Sequence, residues 1–231
     1  MELSVGEVHI WFVRLDVPSE ILQPLTETLS LDERRRAERF RFDRDRHRFL
    51  AGRGTLRAIL SRYAKTDPTQ IQFHYGTSGK PALVDISGLE FNLSHSQDLM
   101  LCAIARNSRV GVDLEYLRPV SDLDHLTQRF FSPQEYLAIQ ALPEDERLRS
   151  FFQYWTCKEA LLKAIGDGLV NLKDVEILLT EAGAEIVRLE SAFPPIPNWS
   201  LYLFAPAVGY TAALATEGGD RPLYFWQWQS E

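Results

Sequence analysis

Apolar residues recur along the chain in two periods, and those periods assign the elements. Positions 8–13, Val8-His9-Ile10-Trp11-Phe12-Val13, read as an opening strand. Ser30-Leu31-Asp32-Glu33 has the form of a capping box, so a helix starts near Leu31. A second helix covers roughly 44–63, where Phe49, Leu50, Leu56, Ile59, Leu60 and Tyr63 keep helical spacing. Ile71, Phe73 and Tyr75 alternate as in a strand, and 76–81 is a polar turn. Strands are predicted at 91–93, 99–105 and 110–115. Ser132 caps another helix, with Pro133 at its first position and Glu135 at its third. A long helix spans about 148–165 and stops at Gly166. Strands at 175–179, 185–189, 201–204, 210–215 and 223–229 complete the chain.

Helices precede strands in each half, which is compatible with two similar α+β units joined near 106–109. From Val175 onward the strands read as the second half's sheet, with the aromatic run 224–228 as packing or as a surface for another partner. Cys102 and Cys157 make neither a disulfide framework nor a cysteine zinc site. No stretch approaches the roughly 18 apolar residues of a membrane helix. The first residues have no secretory-signal pattern, so no membrane role and a cytoplasmic location are expected.

Charge changes the picture. The 231 residues carry 25 basic and 32 acidic groups, a net charge of −7, which argues against a nucleic-acid binder. The basic set is 20 Arg and 5 Lys, and eight of the Arg lie between 34 and 48. Such a segment suits an anionic partner, because Arg contacts phosphate or carboxylate in a planar, bidentate way. A solvated helix with pairs to Glu33, Glu38 and Asp45 explains it as well.

Candidate chemistry sits on three segments. On the strand 110–115, Val110, Val112 and Leu114 share one face, while Asp113 and Glu115 share the other with Cα atoms about 7 Å apart. Two carboxylates on one strand face suit Mg²⁺, which completes its shell with water and phosphate. An exposed acidic face is the plainer explanation. On the long helix, Trp155, Glu159 and Lys163 recur every four residues on one side. A Glu–Lys pair at that spacing is ordinary on a solvated helix, but this helix is apolar enough to be buried. The third segment, Asn92-Leu93-Ser94-His95-Ser96, can hold a phosphate at a turn, or simply place a structural histidine. A Ser–His hydrolase dyad is discounted, since no G-x-S-x-G elbow exists.

Several pieces recur in one order. They are Gly79-Lys80-Pro81, then Phe91 to Ser96, then Gly111-Val112-Asp113-Leu114-Glu115, then Phe130-Phe131-Ser132 with Glu135, and last Trp155-Thr156-x-Lys158-Glu159-Ala160-x-x-Lys163 with Gly166, Gly168 and Leu169. This ordered set, spanning about 34–169, resembles the 4′-phosphopantetheinyl transferases of the larger, monomeric Sfp-like group. The resemblance implies an α+β fold of two similar halves, residues 1–107 and 108–231, with the active site between them. It implies a transferase that moves the 4′-phosphopantetheine arm of coenzyme A onto a serine of an apo acyl or peptidyl carrier protein. It further implies Mg²⁺, with replacement by Mn²⁺ left open, held by Asp113, Glu115 and Glu159. Lys163 would contact the pyrophosphate, and Arg36, Lys80, Pro81, Ser94, His95 and Lys158 would line the coenzyme A site. Glu159 is the first choice of general base and Glu135 the second, although a capping box accounts for Glu135 equally well. Glu33 and Phe49 depart from the pattern, standing where some relatives have a basic and a small hydroxyl residue. Acidic carrier proteins would be steered by the Arg segment. A non-catalytic coenzyme A- or carrier-binding relative and a Mg²⁺-dependent phosphoester hydrolase are the competing expectations.

Overall fold

The computed structural model describes residues 1–76, 79–84, 86–166, 172–189 and 199–229. Its order begins β1 (Val8–Arg14), α1 (Ser19–Glu27), α2 (Leu31–Ala37) and α3 (Asp43–Ala64). Four strands follow, β2 (Phe73–Tyr75), β3 (Pro81–Leu83), β4 (Leu89–Ser96) and β5 (Leu99–Arg106). The second half runs β6 (Val110–Tyr116), α4 (Leu123–Phe130), α5 (Pro133–Gln140) and α6 (Glu144–Ile165). It then runs β7 (Val175–Thr180), β8 (Gly183–Leu189), β9 (Trp199–Phe204) and β10 (Tyr210–Glu217), and β11 (Leu223–Gln227) closes the order. Helices and largely antiparallel sheets in each half make the fold α+β, as expected.

Each half lays one 22-residue helix on one sheet. α3 packs Leu56, Ile59, Leu60 and Tyr63 against Trp11, Val13, Met100, Cys102 and Ile104 of the sheet β11-β1-β5-β4. α6 packs Tyr154, Cys157, Ala160, Leu161 and Ala164 against Val175, Ile177, Ala213 and Ala215 of the sheet β6-β10-β9-β8-β7. The sheets meet through their other faces, where Val8, Ile10, Leu101 and Ala103 join Val110, Val112, Leu114, Ala212 and Leu214 in a third core. The layers are therefore helix, sheet, sheet, helix. Central strands β1 and β5 are buried on both faces, which explains why their apolar runs are nearly continuous.

Three readings from the sequence change here. The last strand does not belong to the second half's sheet. β11 pairs in parallel with β1, with Trp226 stacked on Trp11 at 5.9 Å, and Trp228 N–H donates to Phe12 O at 2.8 Å. A period of two identifies a strand but carries no information about its neighbour. α1 was not anticipated, since Pro24 interrupts its interior, and neither was α4, whose lead residue Asp122 sits at φ 60 without a side-chain cap. α6 starts at Glu144, with three acidic residues in its first turn. Among the described residues, no helix is long and apolar enough to cross a membrane.

Candidate active site

The site forms where α6 lies on β6, and a glycine permits the approach. A Cβ on Gly111 would stand 2.1 Å from Ala160 O and 2.4 Å from Ala164 N, so only glycine lets the two backbones touch. Two residues beyond Gly111 on the strand, Asp113 then meets the helix. Lys163 Nζ donates to Asp113 Oδ1 at 2.6 Å, and Ser94 Oγ–H donates to the same oxygen at 2.9 Å. Lys163 also reaches Ser94 Oγ at 3.0 Å.

Ser94 arrives from the first half because β4 runs alongside β6 and is stitched to it by side chains. Asn92 Oδ1 accepts from Val112 N–H at 2.9 Å, and Ser96 Oγ accepts from Tyr116 N–H at 3.1 Å. Ser96 also donates to Glu115 at 3.3 Å. Asparagine and serine thus replace the ladder that two adjacent strands would otherwise form. The motif 92–96 is legible as chemistry but serves first as a seam between the halves.

Asp113 is only half satisfied. Its Oδ2 is buried and has no hydrogen-bond partner. A buried carboxylate oxygen left unpaired is costly, and it is the natural donor to a cation. Glu115 and Glu159 are half-buried nearby. Burial raises the pKa of each above the ordinary carboxylate value, and the Asp113 charge raises both further. Two carboxylates repelled by Asp113, together with its orphaned oxygen, fit a hard divalent ion, although among the described residues no three such side chains are already drawn into one metal cage. Glu159 faces a depression that it lines with Arg129, Phe130 and Leu162. Trp155, one turn earlier, stacks on Phe151 at 5.9 Å and supports that face.

Beside this centre lies a cleft of about 430 Å³ with Arg36, Phe40, Phe49, Arg53, Leu93 and His95 among its walls. Arg36 stands over the Phe49 ring at 5.4 Å. His95 is exposed at the cleft rim, yet the protein crowded around its ring lowers its pKa by desolvation, and the Lys163 charge adds to that shift. Much of the Arg segment is neutralised locally: Arg48 grips Asp16 through two bonds of 2.7 Å, Arg46 meets Asp43 at 3.0 Å, and Arg44 meets Asp45 at 3.2 Å. The expected Glu33 contact is made by residues outside the segment, since Arg57 reaches it at 2.7 Å and Arg53 at 3.4 Å. Arg53 was not singled out by the sequence. Its side chain is 9% exposed, and Nη1 is buried without a partner.

Four expected site residues are placed elsewhere. Lys158 is 0% exposed and gives its three donors to Glu135 Oε2 at 2.6 Å, Leu172 O at 2.9 Å and Val175 O at 2.7 Å. It cannot meet a ligand. Glu135 accepts from Ser132 N–H at 2.7 Å and Ile177 N–H at 2.8 Å besides Lys158, so both of its oxygens are engaged, and at 1% exposed it is closed off from a substrate. In this structure both side chains are engaged in holding the fold. Lys80 spends its ammonium on Lys163 O at 2.8 Å and Val110 O at 3.3 Å rather than on the cleft. Pro81 opens β3 opposite Tyr75 and is not among the cleft walls. Gly168 and Leu169 lie outside the described residues.

The chain matches the 4′-phosphopantetheinyl transferase superfamily over residues 109–215 and the N-terminal 4′-phosphopantetheinyl transferase family over 18–107. It is 48% identical to the 4′-phosphopantetheinyl transferase HetI of Nostoc sp. over 231 residues, covering 99% of this chain and 95% of that one. It is 32% identical to the 4′-phosphopantetheinyl transferase Sfp of Bacillus subtilis over 168 residues, covering 72% and 74%. A solved holo-(acyl-carrier-protein) synthase from Bacillus anthracis, in complex with CoA (3′,5′-ADP), superposes with a TM-score of 0.41 at 19% identity, covering 48% of this chain and 96% of that one. On the strength of the family matches and of HetI and Sfp, the chain belongs to the 4′-phosphopantetheinyl transferases, in the Sfp-like group, and is a transferase.

Proposed function

We propose that this chain transfers the 4′-phosphopantetheine arm of coenzyme A to a serine of an apo carrier protein, with Mg²⁺ or Mn²⁺ bound at Asp113. The observation that supports this most directly is the divided Asp113 carboxylate, one oxygen held by Lys163 and Ser94 and the other buried and open. Asp113, Glu115 and Glu159 would hold the ion, which when bound supplies positive charge against the pyrophosphate. The carrier serine oxygen attacks the pantetheine-side phosphorus. The bond from that phosphorus to the bridging oxygen breaks, and adenosine 3′,5′-bisphosphate leaves. Glu159 takes the serine proton on the carboxylate oxygen that it does not give to the ion. Lys163, fixed on Asp113, offers a point charge to the departing phosphate. The nucleotide end of coenzyme A suits the cleft, with Arg36, Arg53 and His95 for phosphate and Phe40, Phe49 and Leu93 for the base. Exposed Arg34, Arg35 and Arg39 on and just after α2 would steer an acidic carrier.

The test is a mass measurement. The chain is incubated with apo carrier protein, coenzyme A and Mg²⁺, and the carrier is weighed. A gain of one phosphopantetheine unit is expected. Release of the bisphosphate without any carrier present would replace the reading with phosphoester hydrolysis. Coenzyme A binding without either product would leave a non-catalytic relative.

A further inference from the structure

The lysine that sequence places on coenzyme A does something else in the folded chain. Lys80 belongs to the first half, at the start of β3, yet its ammonium reaches into the second half. There it donates to the carbonyl of Lys163 in the last turn of α6 at 2.8 Å and to the carbonyl of Val110 at the start of β6 at 3.3 Å. The last four carbonyls of a helix have no partner within the helix, and a cation there meets the negative end of the macrodipole. Leu162 O is taken by Gly166 N–H, so Lys80 supplies the partner for the next carbonyl along. The two carbonyls belong to the elements that create the site. Lys163 carries the ammonium that holds Asp113, and Val110 lies three residues before Asp113 on the same strand.

We propose that Lys80 is a positioning residue, a clamp whose ammonium fixes the backbone of α6 at Lys163 to that of β6 at Val110 and so sets how Lys163 and Asp113 meet. This rests on the transfer reaction proposed above. Gly111 sets how closely α6 approaches β6, through Ala160 and Ala164. The clamp adds a fixed point at the helix end where Lys163 sits. Burial costs the Lys80 charge, and its pKa is lowered accordingly. With two of its three donors on backbone carbonyls, the Lys80 ammonium is aimed at the junction of α6 and β6 rather than at the cleft.

The test uses the full chain with Lys80→Met and Lys80→Arg, each compared with the wild type. Transfer is followed by carrier mass, binding of coenzyme A and of 3′-dephospho-coenzyme A by calorimetry, and the last turn of α6 by amide hydrogen exchange. In Lys80→Met, kcat should fall about tenfold or more, as for other supports of a reacting group. Affinities for the two coenzymes should keep the wild-type ratio, and exchange should quicken in the last turn of α6. Lys80→Arg, which can still donate to two carbonyls, should recover most of kcat and of the protection. Selective loss of coenzyme A affinity with kcat intact would overturn the clamp in favour of a phosphate ligand. Unchanged kcat with unchanged exchange would overturn it outright. Should Lys80→Met fail to fold, Lys80→Arg decides: protection and kcat near wild type support the clamp, and loss of both overturns it. If the wild type itself transfers nothing, the functional reading fails, while hydrogen exchange still decides whether the clamp exists.

Discussion

Two lysine–carboxylate pairs anchor α6, five residues apart, and they teach opposite lessons. Lys158 meets Glu135 at 2.6 Å, and Lys163 meets Asp113 at the same distance. Around Glu135 the hydrogen bonding is complete: both oxygens have partners, and all three donors of Lys158 are used. Around Asp113 it is not: Lys163 also has three acceptors, Asp113, Ser94 and Val112 O at 3.4 Å, and stays 30% exposed, but the carboxylate's Oδ2 is buried and open. A closed pair spends its energy on holding elements together. An open one keeps part of its charge available for something that arrives. Distance alone does not separate structure from function here; the remaining valence does.

The largest break in this comparison should come from Asp113→Asn. Removing the charge of the open carboxylate should cost transfer at least about a thousandfold, several kcal/mol of barrier. The fold should survive, which circular dichroism and the carrier mass assay check together. Glu135→Gln should do the reverse. It leaves the Lys158 ammonium buried without its counter-charge, at a cost of about 3 kcal/mol of unfolding free energy in urea. The kcat of the molecules that remain folded should stay near wild type. If Glu135→Gln abolished transfer without loss of stability, Glu135 would return to the site.

A closed but more exposed carboxylate sharpens the same point. Asp98 accepts from Tyr210 O–H and from Arg14, each at 2.6 Å, and this ties the turn after β4 to β10 of the second half. The Tyr210 hydrogen bond, with Arg14 beside it, lowers the Asp98 pKa. A lowered folded pKa means stability that is present above the unfolded value of about 3.9 and is lost as pH falls through the folded one. Tyr210→Phe should therefore cost about 1 kcal/mol at neutral pH, discounted for solvent screening. That difference should shrink as pH drops below 3.9, as thermal melts across pH would show.

Much of the site was legible because its signals are local. The alternation in 110–115 put Asp113 on the face opposite Val112, and that strand does bury Val110, Val112 and Leu114 between the sheets. The four-residue spacing of Glu159 and Lys163 put them on one helix face. The glycine of the same strand was a quieter local signal, since Gly inside a strand marks a close approach of another backbone. The roles of Lys80, Glu135 and Lys158 were not legible, although the residues stood in plain view. Whether an ammonium faces a ligand or a carbonyl depends on partners 83, 30, 14 or 17 positions away. The same holds for β11, whose alternation was clear and whose sheet was not.

The sequence by itself determined the α+β composition, the strand and helix that carry the carboxylates, and the family. Periodicity, caps and motif spacing are written within a few neighbouring residues. Only the tertiary structure decided which charges are spent and which are left, and that the C-terminal strand returns to the first sheet. A hydrogen bond is exhausted or available according to what long-range packing brings against it, and no local pattern records that.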